Sequence, residues 1–188
     1  MKKLVLAAAT LAATTLANAQ EVVYDVEPTH TFVHFEALHS GTSTNRGRFD
    51  TVEGSIMLDR QGHKGKVDIV VRPASVNTGV DSYNDHLRNA DFLKVDAFPT
   101  ATFQGSGFIF ENDKLKSVSG TFTLLGKQQA VTLDALRFNC YDSPRAKTEV
   151  CGGDFETTLV RSDYGMTYGL PGIPDPIRIL IQIEAVKR

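Results

Sequence analysis

The chain has 188 residues, 41% of them hydrophobic and 22% charged, and its 20 Lys and Arg against 22 Asp and Glu leave a formal charge of −2. That balance, without a concentrated basic patch, excludes a nucleic-acid-binding footprint. No composition shift, low-complexity run or Pro/Gly/Ser-rich linker divides the chain, so one domain with a sizeable core is expected.

Met1-Lys2-Lys3 is a small positive start, residues 4–16 are apolar, and Ala17-Asn18-Ala19 is a small-x-small cleavage site. This is the pattern of a secretory signal peptide. As a membrane anchor the apolar run is well short of the roughly 20 residues that span a bilayer, so no membrane-spanning segment is expected. The boundaries that follow are 1–19 for the signal peptide and 20–188 for the domain. Taking two lysines from the 20 basic residues leaves 18 against 22 acidic ones, a formal charge of −4 for the mature chain.

Period-two alternation predicts strands at 22–26, 31–39, 47–59 and 66–72. Val33, Phe35 and Ala37 share one face of the second, and Val67, Ile69 and Val71 one face of the fourth. Gln61 to Gly65 form the turn before that fourth strand.

Residues 75–103 break the pattern. Asp81 or Ser82 is the expected N-cap of a short amphipathic helix running through Tyr83, His86, Leu87 and Ala90, and Pro99 keeps Phe98 extended. Alternation resumes at 100–110, 116–125, 129–139, 152–161 and 177–186, with turn signals at Asn112-Asp113 and Gly126-Lys127. The last strand is the most regular, with Ile177, Ile179, Ile181, Ile183 and Ala185 on one face and Arg178, Gln182 and Glu184 on the other.

A sheet with one wet face must cover its apolar face, and no long helices are present to do so. The expected fold class is therefore all-β: an antiparallel β-barrel of about eight strands with a short helix capping one end, which the family resemblance given below sharpens to an extended, lipocalin-like barrel. A barrel of that size is either filled by side chains or holds one small apolar ligand.

Cys140 and Cys151 lie within one candidate hairpin, and in an oxidising compartment a disulfide between them is expected to staple an edge of the sheet. A reactive dithiol or half of a metal site are the competing readings, set against the lack of a CxxC and of a nearby His. His30, His34 and His39 invite a metal hypothesis. On a strand, however, the first two stand about 13 Å apart at roughly 3.3 Å per residue, too far for one ion, so rim histidines are expected. His86, near Asp85 and Arg88, is the candidate general acid or base, with no second catalytic group beside it. Arg161 and Asp163 read as a structural ion pair, Tyr164 and Met166 as apolar groups of a cavity mouth, and the Gly/Pro-rich loop that follows as a functional one.

The ordered set His30-Thr31 with Val33 and Phe35, His39-Ser40-Gly41, Gly47-x-Phe49, Gly54-x-Ile56 and Asp59, Thr78-Gly79, His86-Leu87, Asp91-Phe92-Leu93, Phe98-Pro99, Gly120-x-Phe122-Thr123-Leu124-x-Gly126 and Arg161-Ser162-Asp163-Tyr164-Gly165-Met166 resembles the YceI-like family. The resemblance spans nearly the whole mature chain. It implies a secreted, periplasmic protein related in shape to lipocalins, whose barrel encloses a tunnel for a long apolar chain: a polyisoprenoid, a quinone-like prenyl tail or a fatty-acid amide. Asn77 stands where an acidic residue is common and Phe98 where tyrosine is common, departures that bear on head-group contacts more than on the tunnel.

The expected role is non-catalytic binding or transport of such a lipid, without cofactor or metal ion. Transient membrane contact and a homodimer are both compatible with it. Val33, Phe35, Ile56, Leu58, Val67, Ile69, Val71, Phe103, Phe122, Leu124, Ile179, Ile181 and Ile183 are the expected tunnel walls, and Phe92, Leu93, Phe98, Tyr164 and Met166 the plug or mouth. The rival readings are a lipid-modifying enzyme using His86, and a filled barrel that presents its surface to a redox or stress partner.

Overall fold

The computed structural model describes residues 21–188, so the expected signal peptide lies outside the described residues. Eleven strands are present: β1 (Val22–Val26), β2 (Phe32–His39), β3 (Ser43–Phe49), β4 (Val52–Asp59), β5 (Lys64–Val71), β6 (Val76–Asn77), β7 (Ala101–Glu111), β8 (Lys114–Leu124), β9 (Lys127–Ser143), β10 (Thr148–Val160) and β11 (Pro176–Lys187). The helix is α1 (Asp81–Arg88). Strands β1-β4-β5-β7-β8-β9-β10-β11 are hydrogen-bonded in that order and β11 returns to β1, which closes an eight-stranded antiparallel barrel. Closure removes the free edges that a sheet of alternating strands would otherwise expose.

Strand β11 pairs with β10 along one edge, and its other edge is shared between two partners. Its residues Ala185 to Lys187 face β1, while Arg178 to Gln182 face β2. β2, β3 and β6 thereby extend the wall at one end of the barrel. The single strand expected over 47–59 is two, because the chain leaves the ladder at Asp50-Thr51: Asp50 N donates to Ser75 O at 3.2 Å and Thr51 N to Ser75 Oγ at 3.0 Å. β3 then pairs with β2 and β4 with β1.

Two hairpins are closed by two-residue turns with both residues in the left-handed region, as such tight antiparallel connections require. Asn112 and Asp113 form one (φ 49° and 60°), as expected. The other is Leu125-Gly126 (φ 51° and 73°), one residue earlier than the sequence signal, because Lys127 already pairs with Leu124. Leu125 takes the costly conformation with its side chain buried.

Helix α1 also differs from expectation at both ends. Val80 is its N-cap and makes no side-chain capping bond, while Asp81 falls in the first turn, favourable for the helix dipole. The entry is tied from within instead: Thr78 N and Thr78 Oγ1 donate to Asn84 Oδ1 at 2.7 and 2.8 Å. The helix stops at Arg88, short of Ala90, and Arg88 donates to Ala74 O and Val76 O at 2.9 and 3.1 Å. Leu87 packs beneath it with Val76, Phe92 and Leu93.

The Cys140–Cys151 disulfide is formed, which closes the dithiol and metal readings for that pair. It staples an edge, as expected: the two cysteines are cross-strand partners of β9 and β10, and because β8 pairs with β9 only over Lys127 to Asp134, Cys140 lies on a length of β9 that has β10 alone beside it.

Buried side chains form four clusters. One, at the disulfide end, holds Tyr24, Leu58, Cys151 and Ala185, and another, at the opposite end, holds the residues under α1. Apolar groups face inward while Thr132, Asp134 and Arg178 face water, the reverse of a membrane-spanning barrel with its apolar outer band. Among the described residues no helix is long and apolar enough to cross a membrane.

Candidate functional site: an apolar cavity along the barrel

The inward faces of the strands surround a cavity of about 260 Å³. A water needs about 10–15 Å³ of such space, so the cavity has room for on the order of twenty. Its lining extends from Tyr24, Leu58 and Cys151 at the disulfide end to Leu87, Phe92 and Met166 at the helix end. The barrel is hollow.

Val33 and Phe35 of β2, Ile56 and Leu58 of β4, and Val67, Ile69 and Val71 of β5 all line this space. So do Phe103 of β7, Phe122 and Leu124 of β8, and Ile179, Ile181 and Ile183 of β11. Register brings them together: Val33 stands opposite Ile181, Phe35 opposite Ile179, Ile56 opposite Val67, Ile69 opposite Phe103 and Phe103 opposite Phe122. Because side chains alternate with period two, a one-residue slip in any strand would turn its set outward. Gly47 is required opposite Phe35, since a Cβ there would fall inside the phenyl ring.

Phe92, Leu93, Tyr164 and Met166 line the helix end. Phe98 is outside the lining and corrects the expectation. Ala97 N and Phe98 N both donate to Lys94 O at 2.9 Å, in a turn that follows Lys94 at φ 47°. The Phe98 ring lies over Gly126 instead, so close that a Cβ there would meet its Cε1 at 3.1 Å.

Several wall residues were not singled out from the sequence. Val131 and Leu133 of β9 belong to a visible alternation that was not carried into the site. Phe155 lies beyond Gly152-Gly153-Asp154 and a register shift against β9, so alternation along β10 gives no such signal.

Polar atoms at the wall are few, and most are satisfied. Thr31 Oγ1 donates to Glu184 O at 3.2 Å and accepts from Glu184 N at 3.1 Å. Tyr24 Oη donates to Glu149, whose other carboxylate oxygen accepts from Arg60 Nη2 at 2.6 Å. Burial, and then the Glu149 carboxylate, push the Tyr24 phenol up to about 12.

Arg161 is only 4% exposed and is not paired with Asp163. Its guanidinium donates to the carbonyl oxygens of Pro174 (3.0 Å), Met166 (2.9 Å), Tyr168 (2.8 Å) and Ile173 (3.0 Å). One side chain thus ties the whole loop between β10 and β11 together. Burial lowers its pKa, opposed by the charge of Asp175. Asp175 in turn accepts from Ser162 Oγ at 2.6 Å and Ser162 N at 2.8 Å, bonds that hold its carboxyl below the ordinary value.

Tyr164 follows one turn later, 2% exposed, with its ring edge-on to Phe122 at 5.7 Å. Its hydroxyl has no hydrogen-bond partner among the described residues. Burial, then the charge of Asp163, push this phenol up to about 12, so it is neutral at physiological pH.

His86, Phe92 and Tyr168 form a three-ring cluster with centroids 5.0, 5.3 and 5.5 Å apart, joining the end of α1 to the β10–β11 loop. His86 is half-buried there and outside the cavity lining, while Asp85 bonds Arg88 at 3.0 Å. The other four histidines lie apart: His30 pairs with Glu27 at 2.7 Å, His34 faces Gln182 Oε1 at 3.3 Å, His39 is exposed at a hairpin tip, and His63 pairs with Asp113 at 2.9 Å.

The family model of the YceI-like domain matches residues 24–185. Protein YceI of Salmonella arizonae is 32% identical over 173 residues, covering 92% of this chain and 90% of the relative. The chain belongs to the YceI-like family. Among solved structures, Burkholderia cenocepacia BcnA aligns with a TM-score of 0.70 at 21% identity, covering 86% of this chain and all of the other. The Campylobacter jejuni YCEI protein aligns at 0.68 with 25% identity, over 78% of this chain and 86% of its own. A domain from Saccharophagus degradans, described as polyisoprenoid-binding and implicated in plant cell wall breakdown, aligns at 0.65 with 17% identity, over 89% and 99%. The YceI-like barrel is thus common to all of them.

Proposed function

We propose that this YceI-like protein is a non-catalytic carrier or scavenger that takes a long apolar lipid chain into its barrel in the periplasm. The cavity carries the reading: it is walled mostly by Val, Ile, Leu and Phe, no carboxylate, imidazole or amine is among its lining residues, and the guanidinium of Arg161, the one charged residue there, is engaged by loop carbonyls. Such a surface gains from hydrocarbon and offers little to a polar substrate. The cargo class we favour is a polyisoprenoid, a quinone-like prenyl tail or a fatty-acid amide; the Saccharophagus degradans domain of the same fold is described as binding polyisoprenoids. A disulfide between Cys140 and Cys151 suits an oxidising compartment, as does the signal-peptide pattern of residues 1–19.

The energetics suffice without any catalytic group. Burying a methylene contributes about 0.8 kcal/mol, so some fifteen buried carbons give a gross gain near 12 kcal/mol. Association and chain ordering take back several kcal/mol, which leaves roughly micromolar or tighter binding.

The test is a titration of the delipidated protein with a fluorescent prenyl or long-chain probe, comparing Ile181→Lys with Ala130→Lys. The first buries a charge among Val33, Phe155 and Ile181's other wall neighbours and is expected to abolish binding, whereas Ala130 faces solvent and its variant should bind like the parent. Equal binding by the two variants would refute the assignment of the cavity as the lipid site.

A further inference from the structure

We infer that the disulfide end of the barrel is a blind floor that measures the length of the cargo chain, with the ring of Phe108 as its stop. The inference rests on the carrier reading above and deepens it: the cargo lies tail down, and the height of this floor sets the longest chain that fits.

The cavity ends at one level on four strands. Tyr24 of β1, Phe108 of β7, Phe138 of β9 and Cys151 of β10 line it, whereas Val22, Phe110, Cys140 and Glu149, the next positions on the same strand faces towards the disulfide end, do not. Those groups seal the floor from beneath. Val22, Phe110 and Cys140 pack against the buried set of Tyr24, Leu58, Cys151 and Ala185. The Phe110 ring stacks on Phe108 at 6.5 Å and on His63 at 4.9 Å, and the bond from Tyr24 to Glu149 joins β1 to β10 at the same level.

Phe108 closes the place where two wall strands have parted. The β5–β7 ladder ends at Val67 and Gly105, and beyond it the Phe108 ring extends over β5, where a Cβ on Gly65 would meet Phe108 Cζ at 2.9 Å and Cε1 at 3.0 Å. Gly65 stands opposite Leu58, itself an inward residue of the floor, so the glycine leaves free the space that the phenylalanine fills. The opposite end is covered by connections instead, α1 with Phe92 and Leu93 and the loop tied by Arg161. A chain therefore enters there and stops at Phe108.

The length follows from the strand. From Cys151 to Leu159, the outermost lining residues of β10, the chain rises about 26 Å, or about 20 Å along a barrel axis tilted by roughly 40°, which holds an extended tail of about sixteen carbons. Each methylene drawn in raises affinity about fourfold until the tail meets the floor; further carbons must stay in water or fold back, and add nothing.

The experiment measures affinity of the delipidated protein for dansyl-labelled n-alkylamines whose chains run from about eight to about twenty-two carbons, so that only the length varies. The parent is expected to gain steadily and then break near sixteen carbons. Phe108→Ala should move the break up by about three carbons, so that chains past the parental limit bind at least about tenfold tighter while short ones bind no better. Ala185→Leu, which adds bulk at a floor residue opposite Cys151, should move the break down. The same break in the parent and in each variant that folds would overturn the inference, as would a parent that gains across the whole series. An equal loss at every length in Phe108→Ala would also overturn it, by marking the ring as structural; in these cases the carrier reading stands on the binding itself. Failure of the parent to bind any member of the series would overturn the carrier reading and this inference together.

Discussion

The two ends of the barrel are built on different plans. At one end the strands are joined by short turns, 60–63, 112–113 and 144–147, and locked by a covalent bond and by polar bonds. There the Cys140–Cys151 bridge joins β9 to β10, and Tyr24, Glu149 and Arg60 tie the wall across strands. At the other end lie the longer connections: residues 72–100, with α1 and its Phe92-Leu93 plug, and residues 161–175, folded around Arg161. Ser40 N donates to Gly172 O at 3.2 Å, so the β2–β3 turn leans on the same loop. Loops carried on a rigid scaffold are where binding functions concentrate, so under the proposed carrier role the helix end is the end expected to admit cargo and the disulfide end the anchor.

The sharpest way to break this division is at Arg161. Arg161→Met removes every guanidinium bond to the loop and leaves four carbonyls without their donor, so a loss of about 4 kcal/mol is expected, on the order of a 10 °C drop in thermal midpoint. Ligand retention should fall with it, because Tyr164 and Met166 are set by that loop. A variant that unfolds at the parental temperature would remove Arg161 from its organising role.

Breaking the disulfide acts at the opposite end and should be somewhat milder. For cysteines separated by 11 residues, loss of the cross-link through Cys140→Ser with Cys151→Ser is expected to cost about 3 kcal/mol by chain entropy. Calorimetry would measure that loss, while probe affinity in the folded protein should fall less than in Arg161→Met, since the helix end is untouched and only Cys151 of the pair lines the cavity. A large affinity loss without a stability loss would reverse the roles given to the two ends.

Alkaline titration samples both ends at once. Tyr24 and Tyr164 are neutral in the fold up to about pH 12, while the same groups ionise near 10 once unfolded. The unfolded chain therefore sheds protons first, and stability falls as pH rises from about 10 to about 12, on the order of 2 kcal/mol for each tyrosine. Denaturant unfolding followed across that window should show the decline, and Tyr24→Phe and Tyr164→Phe should each remove part of it. A flat profile would mean that neither phenol is buried as described.

The same contrast shows what a sequence reveals. The walls were legible because burial on one face imposes period two, and Ile177 to Ala185 or Val67 to Val71 can face inward in only one register. The β3/β4 break was not, since it depends on Ser75, distant in sequence, drawing Asp50 and Thr51 out of the ladder. Arg161 was assigned the nearest carboxylate, Asp163, when its partners are carbonyls of a loop that only folding brings back to it. Phe98 was assigned to the plug because sequence order gives no warning that its ring packs over Gly126 of the β8–β9 turn. The unpartnered hydroxyl of Tyr164 is likewise a property of packing in three dimensions, invisible in any pattern.

The measurement that bears most directly on the central claim is mass spectrometry, native and after organic extraction, on the mature protein isolated without detergent from its own secretory compartment. A hollow apolar barrel that carries lipid should retain a long-chain species near one-to-one stoichiometry, released on extraction. A protein that comes through empty, and that also fails to take up a prenyl or fatty-amide probe, would contradict the carrier account.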